Sequence, residues 1–176
     1  MSYIPGLKIR TCANCGMLNR DDSCTACRKP LESMAINMLA YLGGHNTDPR
    51  YRDEFNDALL ANAESLIRVV NSLLQRLLLL DPTLATAQTP LVTSGWRPVS
   101  YNLSIGGAKN SNHCKCLAVD LLDPEHKMAY LLMKNEWLLS ELGLAIEHPS
   151  KTEKPTGFWL HVQIGAPASG RRVFFP

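Results

Sequence analysis

Long apolar runs, a leader-like start and an excess of one charge sign are all missing from this 176-residue chain. The greasiest stretch, Leu73 to Leu80, is interrupted by Gln75 and Arg76 and falls far short of the ~20 apolar residues a membrane span needs. Met1 to Arg10 has no apolar segment of the kind a secretory leader carries, and its cations, Lys8 and Arg10, lie where such a leader would be cleaved. The expected compartment is therefore the cytoplasm. Lys and Arg number 18 against 16 Asp and Glu, which gives no electrostatic reason to expect nucleic acid or an anionic membrane as the main partner. Internal repeats and low-complexity tracts are also missing.

What is present suits one ordinary domain with a small appendage. Hydrophobic residues make up 45% and charged residues 19%, enough to bury a real core. A chain expected to stay in a reducing compartment uses its six cysteines as thiols or metal ligands before it uses them as disulfides. Four of them, Cys12, Cys15, Cys24 and Cys27, follow C-x2-C-x8-C-x2-C. Two such knuckles present four thiolates that can close a tetrahedral shell around Zn²⁺ with no open position. Gly16 suits the sharp turn after the first knuckle. Residues 8–32 are thus expected to form a zinc-ribbon-like module folded by its metal, since so short a piece cannot hold itself together by burial. A closed site argues for docking a protein partner. Against nucleic acid, the module has only Arg10, Arg20, Arg28 and Lys29 as basic residues and Tyr3 as the nearest aromatic.

A connection over 33–49 follows, with a short helix possible over Met34 to Leu42 before Gly43 and Gly44. From Tyr51 to Leu80 apolar residues recur every three to four positions, predicting a packing helix that Asp81-Pro82 ends. Leu91 to Thr93 reads as a strand, Tyr101 to Asn112 as loop, and Leu117 to Leu122 as a strand carrying one acid, Asp120. His126 to Leu142 returns to helical spacing, with Gly143 placed as its C-cap. Leu144 to Glu147 and Phe158 to Ile164 read as further strands. In the last, Trp159, His161 and Gln163 point away from the apolar face. Few strands among long helices predict an α+β domain over 50–176, a small antiparallel sheet with packed helices.

His113, Asp120 and His161 each have a reason to bind metal. An acid among aliphatics needs a cation or donors, and a mid-strand imidazole needs a partner. Two imidazoles and a carboxylate leave zinc an open fourth position, the hydrolytic arrangement. Spacing alone is weak evidence, because a strand histidine is more often a satisfied core residue and an apolar-flanked acid is often a cap or half of an ion pair.

Ser111-Asn112-His113-Cys114-Lys115-Cys116-Leu117-Ala118-Val119-Asp120 resembles the S-x-H-x-x-G-x-A-x-D signature of the zinc D-alanyl-D-alanine peptidases. That family includes carboxypeptidases, dipeptidases and phage endolysins, and shares its fold with the hedgehog signalling domain. Ser94-Gly95-Trp96-Arg97-Pro98 is similar to the family's upstream strand end, and Trp159-Leu160-His161-Val162-Gln163 to its final strand. Gly143 to Pro176 resembles phage-encoded members. The resemblance implies a hedgehog/DD-peptidase-like fold and a catalytic zinc on His113, Asp120 and His161. It also implies Arg97 as the cation steadying the oxyanion, and Ser111 as a substrate-orienting or loop-supporting hydroxyl. The expected reaction is hydrolysis of an amide bond in the peptidoglycan stem peptide, D-Ala-D-Ala carboxypeptidase or L-Ala-D-Glu endopeptidase in type. A phage-type enzyme would reach the wall through a holin-type pore.

Two departures stand out. Cys116 replaces the signature glycine, near Cys114, so the backbone is strained if φ is positive there; either thiol could compete for metal, but the favoured reading is that both are simply small loop residues. Phe158 stands where many members carry an acid three residues before the last histidine. Glu147 is the best candidate for the general base, with His148 as runner-up. Should neither serve, the alternative is a non-catalytic binding or virion-assembly protein of the same fold.

Overall fold

The computed structural model describes residues 34–85, 91–154 and 157–176, together with the backbone of two short strands, β1 (Arg10–Thr11) and β2 (Leu18–Asn19), which pair antiparallel. Cys12, Cys15, Cys24 and Cys27 lie outside the described residues.

Asn37 caps α1 (Met38–Leu42), its side chain accepting from Ala40 N–H. The segment expected as a connection is part of the core: Met34, Ile36, Tyr41 and Leu42 are all buried. Asn71 on the next helix fastens it, donating to Ile36 O and accepting from Ile36 N–H. That helix, α2 (Asp57–Leu80), starts six residues later than periodicity suggests. Arg52–Glu54 forms a 3₁₀ turn, and Asn56 supplies the cap by accepting from Leu59 N–H. Pro82 lies just beyond its C-terminal end, as expected. Its stripe of Ala63, Leu66, Val70, Leu73, Leu74 and Leu77 is fully buried, each leucine contributing about 1.5–3 kcal/mol by leaving water.

Strand β3 (Val92–Ser94) leads into α3 (Val99–Ser104), where the sequence suggests loop. The missed helix starts with help from afar: the Glu54 carboxylate accepts from Val99 N–H at 2.7 Å and from the Ser100 hydroxyl at 2.8 Å. No local residue signals such a cap. After β4 (Ala118–Leu122), the helical stretch divides into α4 (Lys127–Lys134) and α5 (Glu136–Leu142). Asn135 makes the break by leaving helical geometry and donating to Leu131 O. Gly143 closes α5 in the left-handed region, φ 68.

Strands β5 (Leu144–Glu147), β6 (Glu153–Lys154), β7 (Gly157–Ile164) and β8 (Val173–Phe174) complete the sheet. Its order is β3-β4-β7-β5-β8, with β6 paired to the start of β7. The α+β architecture is as expected, but the sheet is mixed: β8, too short to show in the pattern, joins β5 in parallel. Val119, Leu121, Leu144, Ile146, Leu160 and Val162 belong to the same core cluster as the α2 stripe. Strand alternation turns the residues between them to the opposite face.

Candidate metal centre

That opposite face carries a row of side chains across β3, β4, β7, β5 and β8. Ser94 pairs with Asp120, and Asp120 with His161. Continuing the β5–β7 register by one residue sets Glu147 opposite His161, and Glu147 pairs with Phe174. Directly opposed residues share a face. A cleft of about 700 Å³ opens over the row, lined among others by Thr93, Ser94, Arg97, Asp120, Glu147 and His161.

His113 arrives from a tight turn. Cys114 N–H bonds to Ser111 O, Cys116 N–H to His113 O and Leu117 N–H to Asn112 O. The last two bonds form the pair that ends a helical turn through a left-handed residue. That residue is Cys116, at φ 56. The signature position therefore does need positive φ, and a cysteine there carries about 1–2 kcal/mol of strain. The Ser111 hydroxyl accepts from His113 N–H at 3.3 Å and lines the cleft. Both a loop-fastening and a substrate-facing role fit its place.

His113, Asp120 and His161 are all buried. One ligand atom from each lies within 4.8 Å of the other two, and among the described residues they form the one such cluster. Asp120 Oδ1 lies 2.8 Å from His161 Nδ1 and 3.3 Å from His113 Nε2. His113 Nδ1 sits 2.7 Å from Gly95 O. A carbonyl only accepts, so Nδ1 carries a proton toward it, and Nε2 is the ring nitrogen that faces Asp120. Gly95 itself is dictated by space, because a Cβ there would lie 1.8 Å from Tyr41 O.

Electrostatics bind the cluster together. Burial opposes a charged Asp120, yet His113 and His161 outweigh it and hold the carboxyl well below the usual range. Burial alone would lower His161, but the hydrogen bond and charge of Asp120, with Glu147 adding to them, raise it above its ordinary 6.5. Arg97 Nη2 pairs with Asp120 Oδ2 at 2.7 Å, and its Nε donates to Ser94 Oγ at 2.8 Å. In this structure Arg97 is therefore fixed in a salt bridge on the cleft wall.

The two cysteines among the described residues, Cys114 and Cys116, do not join the cluster. Cys116 is fully buried in the core, and burial, only partly offset by a hydrogen bond with Tyr41, pushes its thiol up to about 12. Cys114, half-buried, is also raised by burial. Neither thiol belongs to the cluster of candidate ligand atoms. His148 is also apart: its ring stacks on Phe175 at 4.5 Å, its Nδ1 engages Ser150, and it is not among the cleft-lining residues. Glu147 does line the cleft, as does Phe158. Sequence reasoning had no role for Gln163 or Asn112, although alternation puts Gln163 on the face of His161. Gln163 Oε1 accepts from Asn112 Nδ2 at 3.0 Å and lies 3.4 Å from His161 Nε2.

Residues 52–148 match the family model described as Peptidase M15. The chain belongs to the peptidase M15 family. Membership implies a zinc metallopeptidase, and the His-Asp-His cluster is a possible site for the ion in this M15 protein. His161 falls beyond the matched segment, and geometry alone joins it to the other two. No curated protein and no solved structure matches the chain. Among the described residues, no helix is long and apolar enough to cross a membrane.

Proposed function

We propose that this M15 protein is a zinc-dependent peptidoglycan peptidase, with His113, Asp120 and His161 as its catalytic zinc ligands. The convergence of two imidazoles and a carboxylate on the wall of an open cleft carries this reading. The donor set fits the metal, since two nitrogens and one oxygen leave zinc an exchangeable fourth position. When bound, zinc supplies Lewis acidity toward the scissile carbonyl and makes a water nucleophilic at neutral pH.

The chain's own residues supply the rest. Glu147, opposite His161 on the cleft wall, takes a proton from the attacking water and returns it to the leaving amine nitrogen. Arg97 places a fixed positive charge where the carbonyl oxygen gains negative charge; because Asp120 and Ser94 already hold it, little reorganisation is needed. Ser111 orients substrate or supports the ligand loop. The bond cut is an amide of the stem peptide, at a D-alanyl or L-alanyl-D-glutamyl linkage, and the enzyme is of the phage type, released to the wall through a pore. The motif resemblances over 94–176 support these finer assignments.

Phe158, at the position where an acid is common, favours a second reading, a non-catalytic binding or virion-assembly protein. Incubation with peptidoglycan fragments separates the two. Chelator-sensitive release of peptide by the wild type, with at least ~100-fold less from Glu147→Gln, is the expected result. No release by the zinc-loaded wild type favours the binder.

The module at 8–32 is read as holding a second, structural zinc on Cys12, Cys15, Cys24 and Cys27 and as docking a protein partner. Supporting it, β1 and β2 bracket the first knuckle as an antiparallel pair. The peptidase domain proper is read as 50–176, with 34–49 packed onto it. Two zinc ions per chain are expected, one lost in His161→Ala and one in Cys24→Ser. An unchanged count in Cys24→Ser would remove the ribbon reading and leave the peptidase reading intact.

A further inference from the structure

The two candidate ligand histidines offer opposite ring nitrogens to the cluster, and the far nitrogen of each meets an oxygen. For His113 that oxygen is the main-chain carbonyl of Gly95. For His161 it belongs to a side chain, Gln163 Oε1. The orientation of the Gln163 amide follows from its other neighbours. Its Nε2 donates to Gly165 O at 3.3 Å, and its Oε1 accepts from Asn112 Nδ2 at 3.0 Å. Turned over, the amide would set oxygen against carbonyl and NH₂ against NH₂. An amide oxygen has two acceptor sites; Asn112 fills one, and the second faces His161.

We infer that Gln163, aimed by Asn112, is a positioning residue that keeps the ring proton of His161 on Nε2, so that Nδ1 turns a lone pair toward the ion. This deepens the proposed ligand set and rests on it. The competing arrangement is close at hand. Asp120 Oδ1, 2.8 Å from Nδ1, is a charged acceptor and would hold a single ring proton there. With the proton on that side, the ligand nitrogen is blocked and the carboxylate is tied to the ring instead of the metal. Gln163 offers the proton a second acceptor on the far edge, and the Nδ1–Asp120 pair then opens to the cation. Partners of this kind fix the tautomer of a metal-binding histidine. His113 has its tautomer written into the main chain, whereas that of His161 depends on a replaceable side chain.

The test uses the full chain, with zinc affinity at this site measured by chelator competition. Gln163→Leu removes the acceptor and is expected to weaken zinc binding by about 10- to 100-fold. Gln163→Glu keeps an oxygen in place and is expected to stay within about threefold of wild type on the same argument. Histidine-selective ¹⁵N spectra of the zinc-loaded wild type should show the His161 proton on Nε2. A proton on Nδ1, or unchanged affinity in folded Gln163→Leu, overturns the inference. The spectrum decides the matter if that variant fails to fold. His161→Ala separates the two levels. If it loses one zinc while Gln163→Leu binds normally, the ligand set stands and the inference falls; if it retains both, both fall.

Discussion

Cys116 shows most directly what one residue does here. It occupies the left-handed position that ends the His113 turn, at φ 56, and its thiol is buried against the core. In an ordinary helix, alanine is the more stabilising replacement and glycine the less. At positive φ the order reverses. Cys116→Gly is therefore expected to unfold about 1 kcal/mol harder than Cys116→Ala, read by denaturant titration; the opposite order would mean that this backbone angle is not populated in solution. His161 and Asp120 set a second residue-scale expectation, in which zinc reverses the sign of a pH dependence. Without metal, the raised His161 contributes stability below its ordinary 6.5, and that contribution is lost as pH rises through its folded value. The depressed Asp120 acts oppositely and loses its contribution only in strong acid. With metal, His161 must shed a proton to bind, so zinc affinity rises over the same window. Thermal midpoints from pH 6 upward, roughly, should thus fall for the stripped protein and rise at fixed sub-saturating zinc. Parallel slopes would contradict His161 as a ligand.

Among the elements, those whose causes lie in neighbouring residues were legible. The α2 stripe, the Asp81-Pro82 stop, the Gly143 cap and the alternation of β7 all follow from spacing within one segment. What stayed hidden has distant causes. Helix α3 takes its cap from Glu54, 45 residues away. Strand β8 is two residues long and exists through its pairing with β5. The candidate site divides in the same way: its motifs could be read along the chain, but the row from Ser94 to Phe174 exists only once the strands are in register. Glu54→Ala should loosen α3 locally, costing about 0.5–2 kcal/mol as lost caps do. Hydrogen exchange should speed at Val99, whose N–H loses its acceptor, while the α2 amides stay protected. Unchanged exchange at Val99 would show the cap to be idle.

At the scale of the whole molecule, the hydrophobic core and the candidate centre lie on opposite faces of one sheet. Leu74→Ala, in the fully buried α2 stripe, should cost 2–5 kcal/mol, approximately, as large core truncations do, while leaving zinc binding measurable in the folded fraction. Removing metal should do the converse. The Arg97–Asp120–His161 pairing already compensates the buried charges, so the stripped domain is expected to keep its far-ultraviolet spectrum. Its stability should fall only by the binding free energy of the lost ion, with a correspondingly lower melting point. Collapse of the helical signal on chelation would show instead that the ion is a structural keystone of this half of the chain.

The same two-sided sheet bears on how such a protein can be altered. Thr93, Leu122 and Trp159 face the cleft, so libraries at these positions can retune recognition while the leucine layer beneath is left untouched. Gly95 is the exception. Its missing side chain accommodates α1 on one side and its carbonyl steadies His113 on the other. It is the hinge-pin where foldability and chemistry cannot be engineered apart.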